Sequence, residues 1–193
     1  MDELKRKTEW KVRVNELFKV KSPFERRLKF MAYFTKALEF HKVRPVITGG
    51  QAVEFYTTGG YSTGDIDLIC SNRDLPGDYL ETAGFQKKGR YWHHSELDLF
   101  VEIPGSSLTQ GEEEHLNCVE LEECRIYFIG QEDMILDRLN AYVHWKSDED
   151  GRWAKELLAL YQKDLDWNYL QKRALEEKTS QALEKLKNEI KTS

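Results

Sequence analysis

The chain has 193 residues, 40% apolar, 12% aromatic and 33% charged, enough for one well-buried domain with or without a small helical appendage. No stretch approaches the ~18 uninterrupted apolar residues of a membrane helix, and MDELKRKTEW has no apolar segment behind its charges, so neither a membrane span nor a signal peptide is expected. The net charge of −5 hides an asymmetry: residues 1–44 carry 13 Lys/Arg against 6 Asp/Glu, and the remainder carries 16 against 28.

The basic first fifth reads as the solvated faces of N-terminal amphipathic helices, with steering of a polyanion as the sharper alternative. The acidic remainder restricts any nucleic-acid footprint to a small, local one. Residues 24–41 place Leu28, Met31, Ala32, Phe34, Leu38 and Phe40 at helical spacing, with Ser22-Pro23 where a cap and first turn belong. Residues 43–48 are β-branched, end in Gly49-Gly50 and read as a buried strand. A short helix follows over 51–56, then a turn at Gly59-Gly60.

Residues 65–70 form the next expected strand, in which acid and apolar residues alternate. A short helix over 78–83 stops at Gly84, and strands follow over 85–93 and 96–103. Residues 117–122 and 125–129 suggest a hairpin. From Gln131 the pattern is helical: 132–145, 152–162 and a Lys/Glu-rich tail, 168–192, expected to pack weakly or fray. The architecture is α+β, a small mixed sheet flanked by helices with a C-terminal helical bundle. The division expected is a core over 1–130 and a helical region over 131–193.

Chemistry concentrates in the second strand. Alternate strand residues share a face with Cα atoms about 7 Å apart, so Asp65 and Asp67 point the same way. Two like charges beside Ile66 and Leu68 are unfavourable unless a cation neutralises them, and hard oxygen ligands suit Mg²⁺ or Mn²⁺. Phosphoryl-transfer sites with two such ions need a further carboxylate from a neighbouring strand. In Ser95-Glu96-Leu97-Asp98-Leu99-Phe100-Val101-Glu102, alternation puts Glu96, Asp98, Phe100 and Glu102 on one face. Asp98 is the first choice, with Glu96 and Glu102 as alternates. Gly49-Gly50, between a strand and a helix, lets a phosphate approach free backbone N–H groups.

Gly49-Gly50-Gln51-Ala52-Val53 followed by Ser62-Thr63-Gly64-Asp65-Ile66-Asp67-Leu68 resembles the polymerase-β-like nucleotidyltransferase superfamily, in particular its small bacterial and archaeal members reading "GGxA…T.DiDl". Residues 132–139 also resemble the helical part of those members. The resemblance covers roughly residues 45–162. It implies an enzyme that moves NMP from an NTP such as ATP to a hydroxyl on a small molecule, an RNA end or a protein. Gly49, Gly50, Gln51 and Thr63 would hold the nucleotide. Asp65, Asp67 and Asp98 would bind the metal and serve catalysis. An antitoxin-like partner protein is a further implication, since small members include toxins.

Gln51 after the glycines departs from the pattern; the lack of a basic residue in 61–64 and a third carboxylate that cannot be aligned uniquely support a second reading: a catalytically silent module that binds nucleotide or a partner. Adjacent His93 and His94 point to opposite strand faces and read as a strand-end pair rather than metal ligands. Arg138 and Lys146 read as surface or capping residues. Trp145, Trp153, Tyr161 and Trp167 read as core, and Cys70 as a small buried hydrophobe. The three cysteines lack Cys-x-x-Cys spacing, which fits a reduced, cytoplasmic protein without a cysteine zinc site.

Overall fold

The computed structural model describes residues 3–72, 74–105 and 107–191. Helix α1 (Glu3–Glu16) buries Trp10 and Val14, and the Trp10 indole donates to the Tyr79 carbonyl at 2.7 Å. Helix α2 (Pro23–Glu39) begins as its cap predicts: the Ser22 hydroxyl accepts from the Glu25 N–H, with proline in the first turn. Its apolar face puts Phe30, Met31, Phe34 and Leu38 at zero exposure.

Strand β1 (Val46–Thr48) runs into α3 (Gly49–Tyr56), and β2 (Asp65–Ile69) follows. Then come α4 (Asp74–Thr82), β3 (Gln86–Lys88), β4 (Tyr91–His94), β5 (Leu99–Gly105), α5 (Gln110–Glu114), β6 (Asn117–Leu121) and β7 (Cys124–Phe128). Helices α6 (Gln131–His144), α7 (Asp148–Tyr161), α8 (Trp167–Glu176) and α9 (Ser180–Lys191) complete the chain. The protein is α+β, with a mixed sheet in the order β3-β4-β5-β2-β1-β7-β6. β2 lies antiparallel to β1 but parallel to β5, and β1 lies parallel to β7.

Register gives the sheet two unlike faces. Ile47, Ile66, Leu68, Trp92, Val101 and Phe128 are buried on one side, while Asp65, Asp67, His93, Phe100 and Glu102 are half-exposed on the other. One apolar cluster runs from Trp10 and Phe30 through Ile66 to Leu139, Leu157, Leu170 and Leu183. The four C-terminal helices therefore share the core of the sheet.

Four expectations need correction. The stretch 85–93 is not one strand: Gly89, at φ +63°, turns it into the β3–β4 hairpin. The stretch 96–103 enters the sheet only at Leu99, because residues 95–98 form a turn. The tail does not pack weakly. It breaks after Glu176 into two helices that bury Leu170, Leu183 and Leu186. Trp145 follows the last turn of α6 and is 80% exposed, so helical spacing misplaced it in the core. Trp153, Tyr161 and Trp167 pack at the core's edge. Among the described residues no helix is long and apolar enough to cross a membrane.

Candidate active site

The site forms where β1 hands over to α3. Gly49 takes φ +58°, a backbone state that L side chains rarely adopt, and the chain turns there from strand to helix. A Cβ at Gly49 would collide with the Asp67 carboxylate, and one at Gly50 would press on Thr63. The missing Cβ at each position is what lets Asp67 and Thr63 pack directly against the turn. The Thr63 hydroxyl donates to Asp65 Oδ1 at 2.7 Å, so Gly49, Gly50, Thr63, Asp65 and Asp67 are brought together.

The parallel pairing of β2 with β5 selects the neighbouring acid. Asp65 sits opposite Phe100 and Asp67 opposite Glu102, on the same half-exposed face. Neighbouring strands lie about 4.8 Å apart, so residues paired on one face stand side by side. Burial pushes the Asp67 carboxyl up to about 6, with the charges of Asp65 and Glu102 adding to it and the Arg138 guanidinium opposing them. A carboxyl raised by desolvation and by two further carboxylates is poised for a cation.

Asp98 and Glu96 lie elsewhere. Both are exposed in the turn before β5, and Asp98 takes φ +51°, so strand alternation does not reach either one. Asp98 instead lines a cleft with Thr63, Gly64, Arg26 and Arg27 around the start of α2. Gln51 also faces inward: it is fully buried, and its amide donates to Glu54 at 3.1 Å. Glu54 in turn accepts from Arg27 at both oxygens, 2.6 and 2.7 Å, across a buried α2–α3 contact. This pair had no signal in the sequence, since an Arg and a Glu 27 positions apart meet only through packing.

Arg138 is not a surface residue. Its side chain is 15% exposed and lies between Asp137 and Asp150, bonding the latter at 2.6 Å. Tyr61, whose ring meets Trp153 edge-on, borders the same region. Lys146 follows α6 at φ +60° and bonds the Val143 carbonyl, on the surface as expected. His93 and His94 do face opposite ways. His93 stacks on Phe100, and His94 meets Phe18 and Phe85. Cys70 is fully buried, and burial pushes its thiol up to about 12.

Whether these residues suit a divalent cation can be tested on the donor set. The chemistry fits: three carboxylates from adjacent strands, one with a raised pKa, beside a glycine turn that packs against the Asp67 carboxylate. Glu102 pairs with Arg90 at 3.2 Å, and among the described residues no three His, Cys, Asp or Glu side chains are gathered as a cation site.

Residues 26–192 match the family described as a nucleotidyltransferase of unknown function (DUF6036), and the chain belongs to that family. No curated protein matches the chain.

Proposed function

We propose that the protein is a metal-dependent nucleotidyltransferase of the polymerase-β-like kind, moving NMP from an NTP to a hydroxyl acceptor with release of pyrophosphate. The observation that carries this reading is the register placing Glu102 beside Asp67, on the face that Asp65 shares. Asp65, Asp67 and Glu102 would hold Mg²⁺ or Mn²⁺. The bound ion would supply charge neutralisation on the phosphate oxygens.

The chain's own residues do the rest. Gly49 and Gly50 carry no Cβ that would push Asp67 and Thr63 away, so the turn at the start of α3 and its backbone N–H groups stay beside the acids for the phosphates to approach. Thr63 fixes the orientation of Asp65 by donating to one of its oxygens. That leaves the other Asp65 oxygen to accept the proton of the attacking hydroxyl. The hydroxyl oxygen bonds the α-phosphorus as the bond to the bridging oxygen breaks, and pyrophosphate leaves. Arg138 lowers the electrostatic cost of gathering acids at Asp67. In this reading Glu102 takes the place expected of Asp98, and a cytoplasmic setting supplies the NTP.

The test is pyrophosphate release from each of the four NTPs with Mg²⁺ over a panel of hydroxyl acceptors. Turnover that disappears in Asp65→Asn and in Asp67→Asn supports the assignment. Turnover unchanged in both variants would sink it. The Arg90–Glu102 ion pair favours a second reading, a nucleotide-binding module without catalysis. Calorimetric NTP binding with no turnover in any acceptor would select it.

A further inference from the structure

The half-exposed face does not end at the carboxylates. Register continues it in two rows across the strands: Asp67, Glu102, Tyr91 and Lys88 in one, Asp65, Phe100, His93 and Gln86 in the other. In the second row the Phe100 and His93 rings lie parallel, with centroids 4.0 Å apart and planes 13° from one another. Phe100 belongs neither to the apolar core nor to the residues packed against it. Its row neighbours on the opposite face, Trp92 and Val101, are buried. An aromatic pair kept out of the core on an open strand face, one strand away from a candidate catalytic acid, calls for a partner with a π-face.

From this arrangement we infer that the acceptor is the 3′-terminal nucleoside of a single-stranded nucleic acid, its base stacked on the Phe100–His93 pair. The inference rests on the nucleotidyltransferase reading and names the acceptor that reading leaves open. Strands lie about 4.8 Å apart, so the ring pair extends from one to two strand spacings away from Asp65. A nucleoside bridges that separation, with its hydroxyl at the carboxylates and its base over the rings. Lys88 ends the other row and Arg90 sits at the β3–β4 turn, where the phosphate preceding that nucleoside would lie. Phosphate on Arg90 would take over the ion pair now made by Glu102, leaving that carboxylate free beside Asp67. Cationic acceptors are disfavoured by Lys88 and Arg90, and a duplex end keeps its bases stacked on each other. The footprint is one or two nucleotides, which suits a chain whose net charge is −5.

The experiment measures fluorescence anisotropy of a short 5′-labelled oligoribonucleotide, single-stranded or as a blunt duplex. The proteins are wild type, Phe100→Leu, Phe100→Trp and Arg90→Gln, each checked for an unchanged melting temperature. Loss of one base stack should weaken single-strand binding about 5- to 150-fold in Phe100→Leu, with affinity kept in Phe100→Trp. Arg90→Gln should reduce the slope of log affinity against log salt by about one phosphate. No binding of the single strand, equal binding by Phe100→Leu, or duplex binding as tight as single-strand binding overturns the inference. Calorimetry of NTP with Mg²⁺ on the wild-type protein, with no oligonucleotide present, judges the nucleotidyltransferase reading separately, because it needs neither the acceptor nor a change at Phe100.

Discussion

On the α2 side of α3, Glu54 is 4% exposed, and both its oxygens accept from Arg27, with the Gln51 amide as a further donor. At the N-terminus of the same helix, Asp67 faces Asp65 and Glu102. Thr63 bonds Asp65, and Arg90 bonds Glu102. Among the described residues, no side chain hydrogen-bonds the Asp67 carboxylate; the Thr48 hydroxyl donates to its backbone carbonyl. Both sites gather acid near α3, but Glu54 is bonded directly by Arg27, whereas among the described residues no cation bonds Asp67. A buried charge closed in this way holds two helices in place. One left among like charges weakens the fold and is retained where a ligand restores the balance.

Breaking the closed site should have the largest effect. Arg27→Met strands Glu54 in the core and is expected to destabilise by about 3–5 kcal/mol, seen as a melting temperature lower by roughly 10 °C. The double replacement Arg27→Met/Glu54→Leu should recover much of that loss, because neither charge remains. The open site should respond in rate rather than in folding. Asp65→Asn is expected to cut pyrophosphate release by a factor on the order of 10²–10³ with the melting temperature maintained. If it unfolds the protein as Arg27→Met does, the contrast between the two sites is lost.

Smaller effects sharpen the contrast. Mg²⁺ at a hundredfold excess over its Kd should stabilise the wild type by about 2.7 kcal/mol, and should not stabilise Asp65→Asn/Asp67→Asn. Scanning calorimetry with and without the ion reads this directly. The smallest effect is in pH. The Asp67 carboxyl is raised from 3.8 to about 6 in the folded chain, so between those values the folded state holds more protons than the unfolded one. Stability therefore falls as pH rises through that window. Asp67→Asn should remove the fall, giving a variant about 1–2 kcal/mol more stable at pH 8 after allowing for solvent screening of a half-exposed group. At pH 4 the two proteins should be equal. Urea denaturation at both pH values decides it, and a variant less stable at pH 8 would contradict the open-site picture.

Much of the molecule was legible where local rules act alone. The α2 cap, the β6–β7 hairpin and the α3 start at paired glycines all depend on residues within a few positions of one another. The same holds for the shared face of Asp65 and Asp67, a consequence of strand alternation. Misplaced elements mark where distant packing intervened. The tail looked too polar to dock, yet Leu170, Leu183 and Leu186 reach the core, while Leu175 stays exposed. Trp145 had helical spacing from its neighbours, but α6 ends one residue before it.

The sequence by itself determined the carboxylate pair and the glycine turn beside it, because each follows from the period of a strand or the conformational freedom of glycine. It could not choose among Glu96, Asp98 and Glu102. Only the tertiary structure decides which of them lies on the strand beside Asp67: residues 95–98 form a turn, and the parallel register of β2 on β5 puts Glu102 against Asp67. Parallel register is set by how Ile66 and Leu68 pack with Val101 and Ile103 after a long crossover, and no residue near Asp98 records it.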